Sequence, residues 1–174
     1  MINKDNGLYY FFVNPESGEK KAADLVKGDI QTLLFKSGLG SVNMVDMSKE
    51  SSKKEAFESL LKIQNDYQSS TAVTPIIVVL GGDGSLIGLV EELVVNNLKP
   101  HLTNFCVLPF GTGNDLAQAT GWGADATAIM KEDIFTTISA VLRDIRLATA
   151  KNINVWEVTV VCRVTDYRII NFIG

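Results

Sequence analysis

The sequence predicts an α/β fold: a parallel, twisted sheet with helices on both faces, followed by the truncated start of an antiparallel β piece. Three observations carry this. Strand-like and helix-like patterns alternate from Leu8 to Arg146, the order that builds a parallel sheet covered on both sides. Two runs, Pro75-Ile76-Ile77-Val78-Val79-Leu80 and Phe105-Cys106-Val107-Leu108, are apolar throughout, as strands buried on both faces are. Each leads into a glycine-rich polar turn that opens a helix, Gly81-Gly82-Asp83-Gly84-Ser85 and Gly111-Thr112-Gly113-Asn114-Asp115. Open α/β sheets place their ligands at the C-terminal ends of strands.

The elements follow in order. Residues 8–13 form an aromatic-rich apolar strand that ends in the turn Asn14-Pro15-Glu16-Ser17-Gly18. Leu25, Val26, Ile30, Leu33 and Leu34 make a helical stripe, stopped by Gly38 and Gly40. Residues 41–46 alternate and read as a strand near a sheet edge. Residues 51–67 read as an amphipathic helix with Phe57, Leu60, Leu61 and Ile63 inward, Ser51 or Ser52 as N-cap, and Glu55 at capping-box spacing. After Gly84, Leu86, Ile87, Leu89, Val90, Leu93 and Val94 predict a mostly buried helix with Glu91 and Glu92 outward. A short helix over 114–120 stops at Gly121-Trp122-Gly123, and residues 132–146 form another amphipathic helix. The character then changes: residues 152–161 and 167–173 read as β-strands with no helix between. The expected division is a nucleotide-binding lobe over 1–146 and the truncated start of a β-rich second domain over 147–174.

With 174 residues the prior is one domain, long enough to bury a real core. A net charge of −4 and a pI near 5.0 lack the basic footprint of a nucleic-acid binder. No apolar run approaches the ~20 residues of a membrane span. The start, Met1-Ile2-Asn3-Lys4, lacks a signal-peptide layout, so a cytoplasmic setting is expected. Cys106 and Cys162 sit in apolar strand-like runs and read as buried, reduced thiols. His101 follows Pro100 in a loop and reads as solvated.

The glycine turns can do specific chemistry. Gly82 and Gly84 flank Asp83 and let a phosphate approach the backbone. A carboxylate beside a polyphosphate repels it unless a cation intervenes, so Asp83 reads as orienting Mg²⁺ directly or through water. The other reading of the same residue is a carboxylate that caps the next helix; the motif alone leaves both open. Thr112 can donate to a phosphate or ribose oxygen, while Asn114 and Asp115 can cap the helix and hold the loop. Asn14, Ser17 and Gly18 would line the same crevice. The P-loop pattern is absent. The loosened fingerprint Gly82-x-Gly84-x-x-x-Gly88 lacks an acidic residue across 97–105, where a dinucleotide ribose would need one. Gly-x-Ser-x-Gly is absent too.

Asn14-Pro15-x-Ser17-Gly18, Gly81-Gly82-Asp83-Gly84-Ser85 and Leu108-Pro109-x-Gly111-Thr112-Gly113-Asn114-Asp115-Leu116-Ala117, with Gly121-Trp122-Gly123 beyond, together resemble the diacylglycerol kinase catalytic domain, in its eukaryotic form. Asn154-Val155-Trp156-Glu157-Val158 is similar to the strand that follows the family's kinase lobe. The resemblance implies an NAD kinase- and phosphofructokinase-like lobe that transfers the γ-phosphoryl of ATP to diacylglycerol, giving phosphatidate, with Mg²⁺. It implies Asp83 as the essential acid and metal residue, with Asn14, Pro15, Ser17, Gly18, Gly81, Gly82, Gly84, Ser85, Gly111, Thr112, Gly113 and Asn114 around the nucleotide. Ser85 stands where threonine is usual and Gln118 where arginine is. Family members carry a β-rich second domain that is nearly all missing here. Little or no lipid phosphorylation is therefore expected of this chain alone, unless a partner chain or homo-oligomer completes the β domain. The lipid acceptor would be met at a membrane surface, by a peripheral protein without a transmembrane segment. A non-catalytic nucleotide-binding or regulatory module is the alternative; a sphingoid-base, ceramide or NAD kinase is a further one. Lys20-Lys21 and Lys53-Lys54 are too small as basic clusters to steer the chain to anionic lipid.

Overall fold

The computed structural model describes residues 7–23, 41–66, 73–131, 133–161 and 166–172. Four strands, β1 (Leu8–Val13), β2 (Ser41–Asp46), β3 (Ile76–Gly81) and β4 (Asn104–Pro109), form one parallel sheet in the order β2-β1-β3-β4. Four α-helices are described: α1 (Glu50–Asn65), α2 (Asp83–Val95), α3 (Asp115–Ala119) and α4 (Ile134–Leu147). The stripe around Leu25 and the glycines at 38 and 40 lie outside the described residues.

The period-two alternation of the strands sorts their side chains between two cores. Tyr10, Phe12, Ile77, Val79 and Val107 pack on one face against Phe57 and Leu60 of α1 and Leu86, Leu89 and Leu93 of α2. Phe12 stacks on Phe57 with ring centroids 6.0 Å apart. Tyr9, Phe11, Val13, Val78, Leu80 and Leu108 pack on the other face against Ile138, Val141, Leu142 and Ile145 of α4. The steps β2→β3 and β3→β4 run in the same direction along the sheet, so right-handed crossovers put α1 and α2 on the same face. The predicted α/β class with helices on both faces is what the chain adopts.

Several local expectations change. The N-cap of α1 is Lys49, without a side-chain capping bond. Ser52 instead turns its Oγ back to accept the N–H of Asp46 at 3.0 Å, so the hydroxyl secures the end of β2 rather than the start of the helix. Glu91 is exposed, but Glu92 turns toward α1, where Lys53 Nζ lies 2.9 Å from its Oε2 and 3.0 Å from Glu50 Oε2. The hydrogen bond to Glu92 raises the Lys53 pKa, and a lysine held between two carboxylates joins the helices. The last helix, expected from 132, is described from Ile134, where its apolar stripe begins; Asp133 is its N-cap and accepts the N–H of Thr136. His101 is exposed in the 3₁₀ turn Pro100–Leu102. Beyond α4, β5 (Val155–Val161) and β6 (Asp166–Phe172) pair antiparallel in a separate two-stranded sheet.

Cys106 packs on the α4 side of the sheet, and burial pushes its thiol up to about 12. The raised value contributes stability that is fully present below the unfolded thiol pKa of about 8.5, and that is lost as pH rises toward about 12. At pH 8 the folded protein should leave Cys106 unalkylated by iodoacetamide, while denaturant should expose it to rapid reaction. Site mapping by mass spectrometry reads this, and equal labelling in both states would contradict a desolvated thiol. Cys162 lies outside the described residues.

Candidate active site

The parallel register brings the strand ends level: Val13 lies opposite Asp46 and Leu80, and Leu80 opposite Leu108. The turns after β1, β3 and β4 therefore leave the same edge on neighbouring strands. β1→β2 steps one way along the sheet and β3→β4 the other, so the crevice between the ends of β1 and β3 is a topological switch point.

Hydrogen bonds tie the first turn to the second. Asn14 donates its backbone N–H to Leu80 O at 3.0 Å. Its Nδ2 donates to Ser85 Oγ at 2.9 Å, and its Oδ1 accepts the N–H of Glu16 at 3.1 Å. Pro15 is buried beneath the turn, while Ser17 remains partly accessible. Gly18 adopts φ +53°, and a Cβ there would lie 2.6 Å from Phe110 O. Both the left-handed backbone and the close carbonyl require glycine at this point, which locks the first turn onto the third.

The second and third turns meet backbone to backbone. A Cβ on Gly82 would fall 2.5 Å from Gly113 O, and one on Gly111 would overlap the Cα and N of Gly82. A Cβ on Gly81 would lie 2.5 Å from Ser85 Oγ. Gly84 and Gly113 differ: nothing stands within 4 Å of a Cβ built on either. The glycines thus divide into those whose place is filled by neighbouring loops and those that border open space. Thr112 is exposed beside Gly113.

Asp83 opens α2, donating its N–H to Gly113 O at 3.0 Å. Its carboxylate reaches across to the next helix, where Oδ2 accepts from Asp115 N at 2.8 Å and Oδ1 from Leu116 N at 3.2 Å. Asp115 is therefore not the N-cap of α3 but its first residue. Asn114 holds the cap position without capping, because its side chain is used elsewhere. Oδ1 accepts Gly111 N at 3.0 Å, and Nδ2 donates to Gly111 O at 2.8 Å and Ala124 O at 2.9 Å. At 7% exposure this carboxamide is an internal clamp. It pins the glycine loop to the segment around Gly121 and Gly123, whose φ of +89° and +97° turn the chain after α3.

A fourth turn shares the edge and was not anticipated as part of it. Met47 donates its N–H to Val13 O at 2.9 Å, placing the end of β2 beside the first turn. Asp46, 8% exposed, accepts from Ser48 N at 3.0 Å and Ser48 Oγ at 2.6 Å. Lys49 Nζ lies 3.1 Å from its Oδ2. Burial pushes this carboxyl up, but the Ser48 hydrogen bonds and Lys49 outweigh it and hold the pKa below the usual range. The sequence signal was an acidic residue ending a strand, which by itself says nothing of neighbours.

The sequence profile of the diacylglycerol kinase catalytic domain matches residues 9–150. Diacylglycerol kinase zeta of Homo sapiens is 34% identical over 116 residues, covering 67% of this chain and 11% of that protein. Diacylglycerol kinase 1 of Oryza sativa subsp. japonica is 26% identical over 156 residues, covering 84% of this chain and 28% of that protein. Diacylglycerol kinase delta of Mus musculus is 37% identical over 82 residues, 47% of this chain and 6% of that protein. The chain thus spans a minor part of the length of these relatives. The match runs from β1 through all three glycine turns to the end of α4, and on that ground the chain belongs to the diacylglycerol kinase catalytic domain family.

Proposed function

We propose that this lobe binds ATP across the turns at 14–18, 81–85 and 111–115, and that it serves transfer of the γ-phosphoryl to the hydroxyl of diacylglycerol, giving phosphatidate. The observation that carries the reading is the convergence of three glycine turns over adjacent strands at a switch point, tied by Asn14–Ser85 and by the Gly82–Gly111 contact. Phosphoryl transfer asks chiefly for positioning and charge stabilisation, which a rim of turns supplies. The bond between the γ-phosphorus and the bridging oxygen breaks, the bond to the acceptor oxygen forms, ADP leaves, and the acceptor hydroxyl loses its proton. Gly84 and Gly113 border the space a phosphate chain would occupy, with Thr112 Oγ1 and Ser85 Oγ as hydroxyl donors.

Asp83 would hold the magnesium that accompanies the nucleotide. Each of its oxygens accepts one N–H and keeps further acceptor capacity. Among the described residues no three His, Cys, Asp or Glu side chains cluster as a protein-only metal cage. That donor set suits Mg²⁺, which keeps its waters and takes one or two carboxylates plus substrate phosphates. The ion supplies charge neutralisation on the transferring phosphoryl. The antiparallel β5–β6 pair would begin the β-rich unit that completes the acceptor side, and the lipid would be met at a membrane surface. No helix among the described residues is long and apolar enough to cross a membrane.

Calorimetric titration of Mg·ATP into wild type and Asp83→Ala tests the site. The variant is expected to bind at least tenfold more weakly, because it loses the carboxylate that faces the cation. Equal affinities would end the reading. Phosphatidate formation from labelled ATP and diacylglycerol micelles then separates a kinase from a nucleotide-binding module, and a panel of sphingoid, ceramide and NAD acceptors separates the related kinases.

A further inference from the structure

Asp83 is the acid that the proposed reading sets beside the nucleotide's cation, and its carboxylate has a second task. Asp115 and Leu116, whose N–H groups it accepts, are the first two residues of α3. A helix of five residues has little internal hydrogen bonding of its own, so its start depends on whatever fills its free N–H groups. The residue in the cap position cannot do this, since Asn114 has committed its side chain to Gly111 and Ala124. The cap comes instead from 32 residues earlier in the chain. On the other side of the same loop, Asp83 N–H donates to Gly113 O at 3.0 Å. One residue therefore grips the third turn just before and just after Asn114. Its charge also faces the positive end of α3 while sitting in the first turn of α2.

We propose that Asp83 is a positioning residue for the Gly111–Thr112–Gly113 loop: by capping α3 from the neighbouring turn it holds that loop in shape before nucleotide or cation arrives. This rests on the nucleotide reading for its purpose, but not for its geometry. Loss of the carboxylate loosens the third turn even when no divalent cation is present. It follows that the effect of an Asp83 substitution on ATP affinity has two parts, and only one of them needs magnesium.

The test uses the ligand-free chain in EDTA, with amide hydrogen exchange followed by NMR for wild type, Asp83→Asn and Asp83→Ala. Exchange at Asp115 and Leu116 is expected to accelerate roughly tenfold in the alanine variant, the scale of a lost cap. The amides of Phe11 and Val78 in the sheet should be unchanged. Asparagine keeps one carbonyl oxygen and should fall between. Both substitutions remove the charge that repels ATP when no cation is present, so in the same EDTA buffer the asparagine variant, which keeps part of the cap, should bind ATP more tightly than the alanine variant. Unchanged exchange at Asp115 and Leu116 in both variants would overturn the cap, whatever a Mg·ATP titration gives. Accelerated exchange in the alanine variant with equal ATP affinities of the alanine and asparagine variants in EDTA would overturn the positioning role and leave the cap purely structural. If the alanine variant loses protection throughout the sheet, the asparagine variant decides: local acceleration supports the proposal and none refutes it. Absence of Mg·ATP binding by wild type is a failure of the nucleotide reading, which the exchange measurement, made without ligand, reports separately.

Discussion

Gly111→Ala is expected to cost about 3 kcal/mol of stability and to abolish nucleotide binding, whereas Gly113→Ala should keep the stability and lose only the binding. The difference lies in what each Cβ would meet. At Gly111 it overlaps the Cα and N of Gly82. Those are backbone atoms between β3 and α2, and they cannot swing aside as a flexible side chain would. Overpacking of this kind typically costs about 1–3 kcal/mol, and a rigid neighbour puts it at the upper end. For a chain of this size each kcal/mol lowers the melting temperature by about 2–4 °C, so a drop of roughly 6–12 °C should be seen by calorimetry. At Gly113 nothing stands within 4 Å of the new methyl group, and the backbone there is not in the left-handed region. The methyl would instead occupy the space proposed for phosphate. A Gly113→Ala variant that binds ATP as wild type does would place the nucleotide elsewhere; a Gly111→Ala variant that melts normally would contradict the close loop contact.

Asn114→Ala should be nearly as damaging, and Asn114→Asp should be worse at neutral pH. The carboxamide accepts from one N–H and donates to two carbonyls, Gly111 O and Ala124 O, in a site only 7% exposed. Alanine leaves these groups without their partner, each at about 1–3 kcal/mol where water cannot reach, so a net loss of about 3 kcal/mol is expected. Aspartate keeps the acceptor for Gly111 N but sets a charged oxygen against two carbonyl oxygens. Its folded pKa is thereby raised above the unfolded value of about 3.9. A raised pKa means that whatever stability the protonated form contributes is present below the unfolded value and lost as pH rises through the folded one. The aspartate variant should accordingly approach wild type as pH falls from 7 to 4, and the alanine variant should not. Denaturant midpoints across that range read the difference. An aspartate variant as stable as wild type at pH 7 would show that the clamp does not donate as described.

How much of this was legible in the chain can be seen element by element. The alternation of apolar runs with helical stripes placed β1 to β4 within a residue or two of their observed bounds, and the strands 155–161 and 166–172 were recognisable by their β-branched alternation. Burial on both faces was readable because strands covered on two sides have no polar positions to spare. Cap chemistry was not readable. Ser52 and Asp115 each had suitable composition and spacing for a helix start, yet Ser52 serves a strand end and Asp115 is capped by another residue. Any oxygen that reaches a free N–H can fill it, and local spacing does not reveal a competitor arriving from elsewhere in the fold.

The residues themselves determined that this chain forms a parallel α/β lobe and that its polar glycine turns sit at strand ends, because side-chain periodicity and glycine's backbone freedom act over a few neighbouring positions. The tertiary structure alone decided which turns touch. Asn14 meets Ser85 across 71 residues, Gly82 lies against Gly111, and Asp83 caps a helix that begins 32 residues later. Those pairings depend on strand order and register, which set loops distant in sequence side by side, and no local pattern encodes an order of strands.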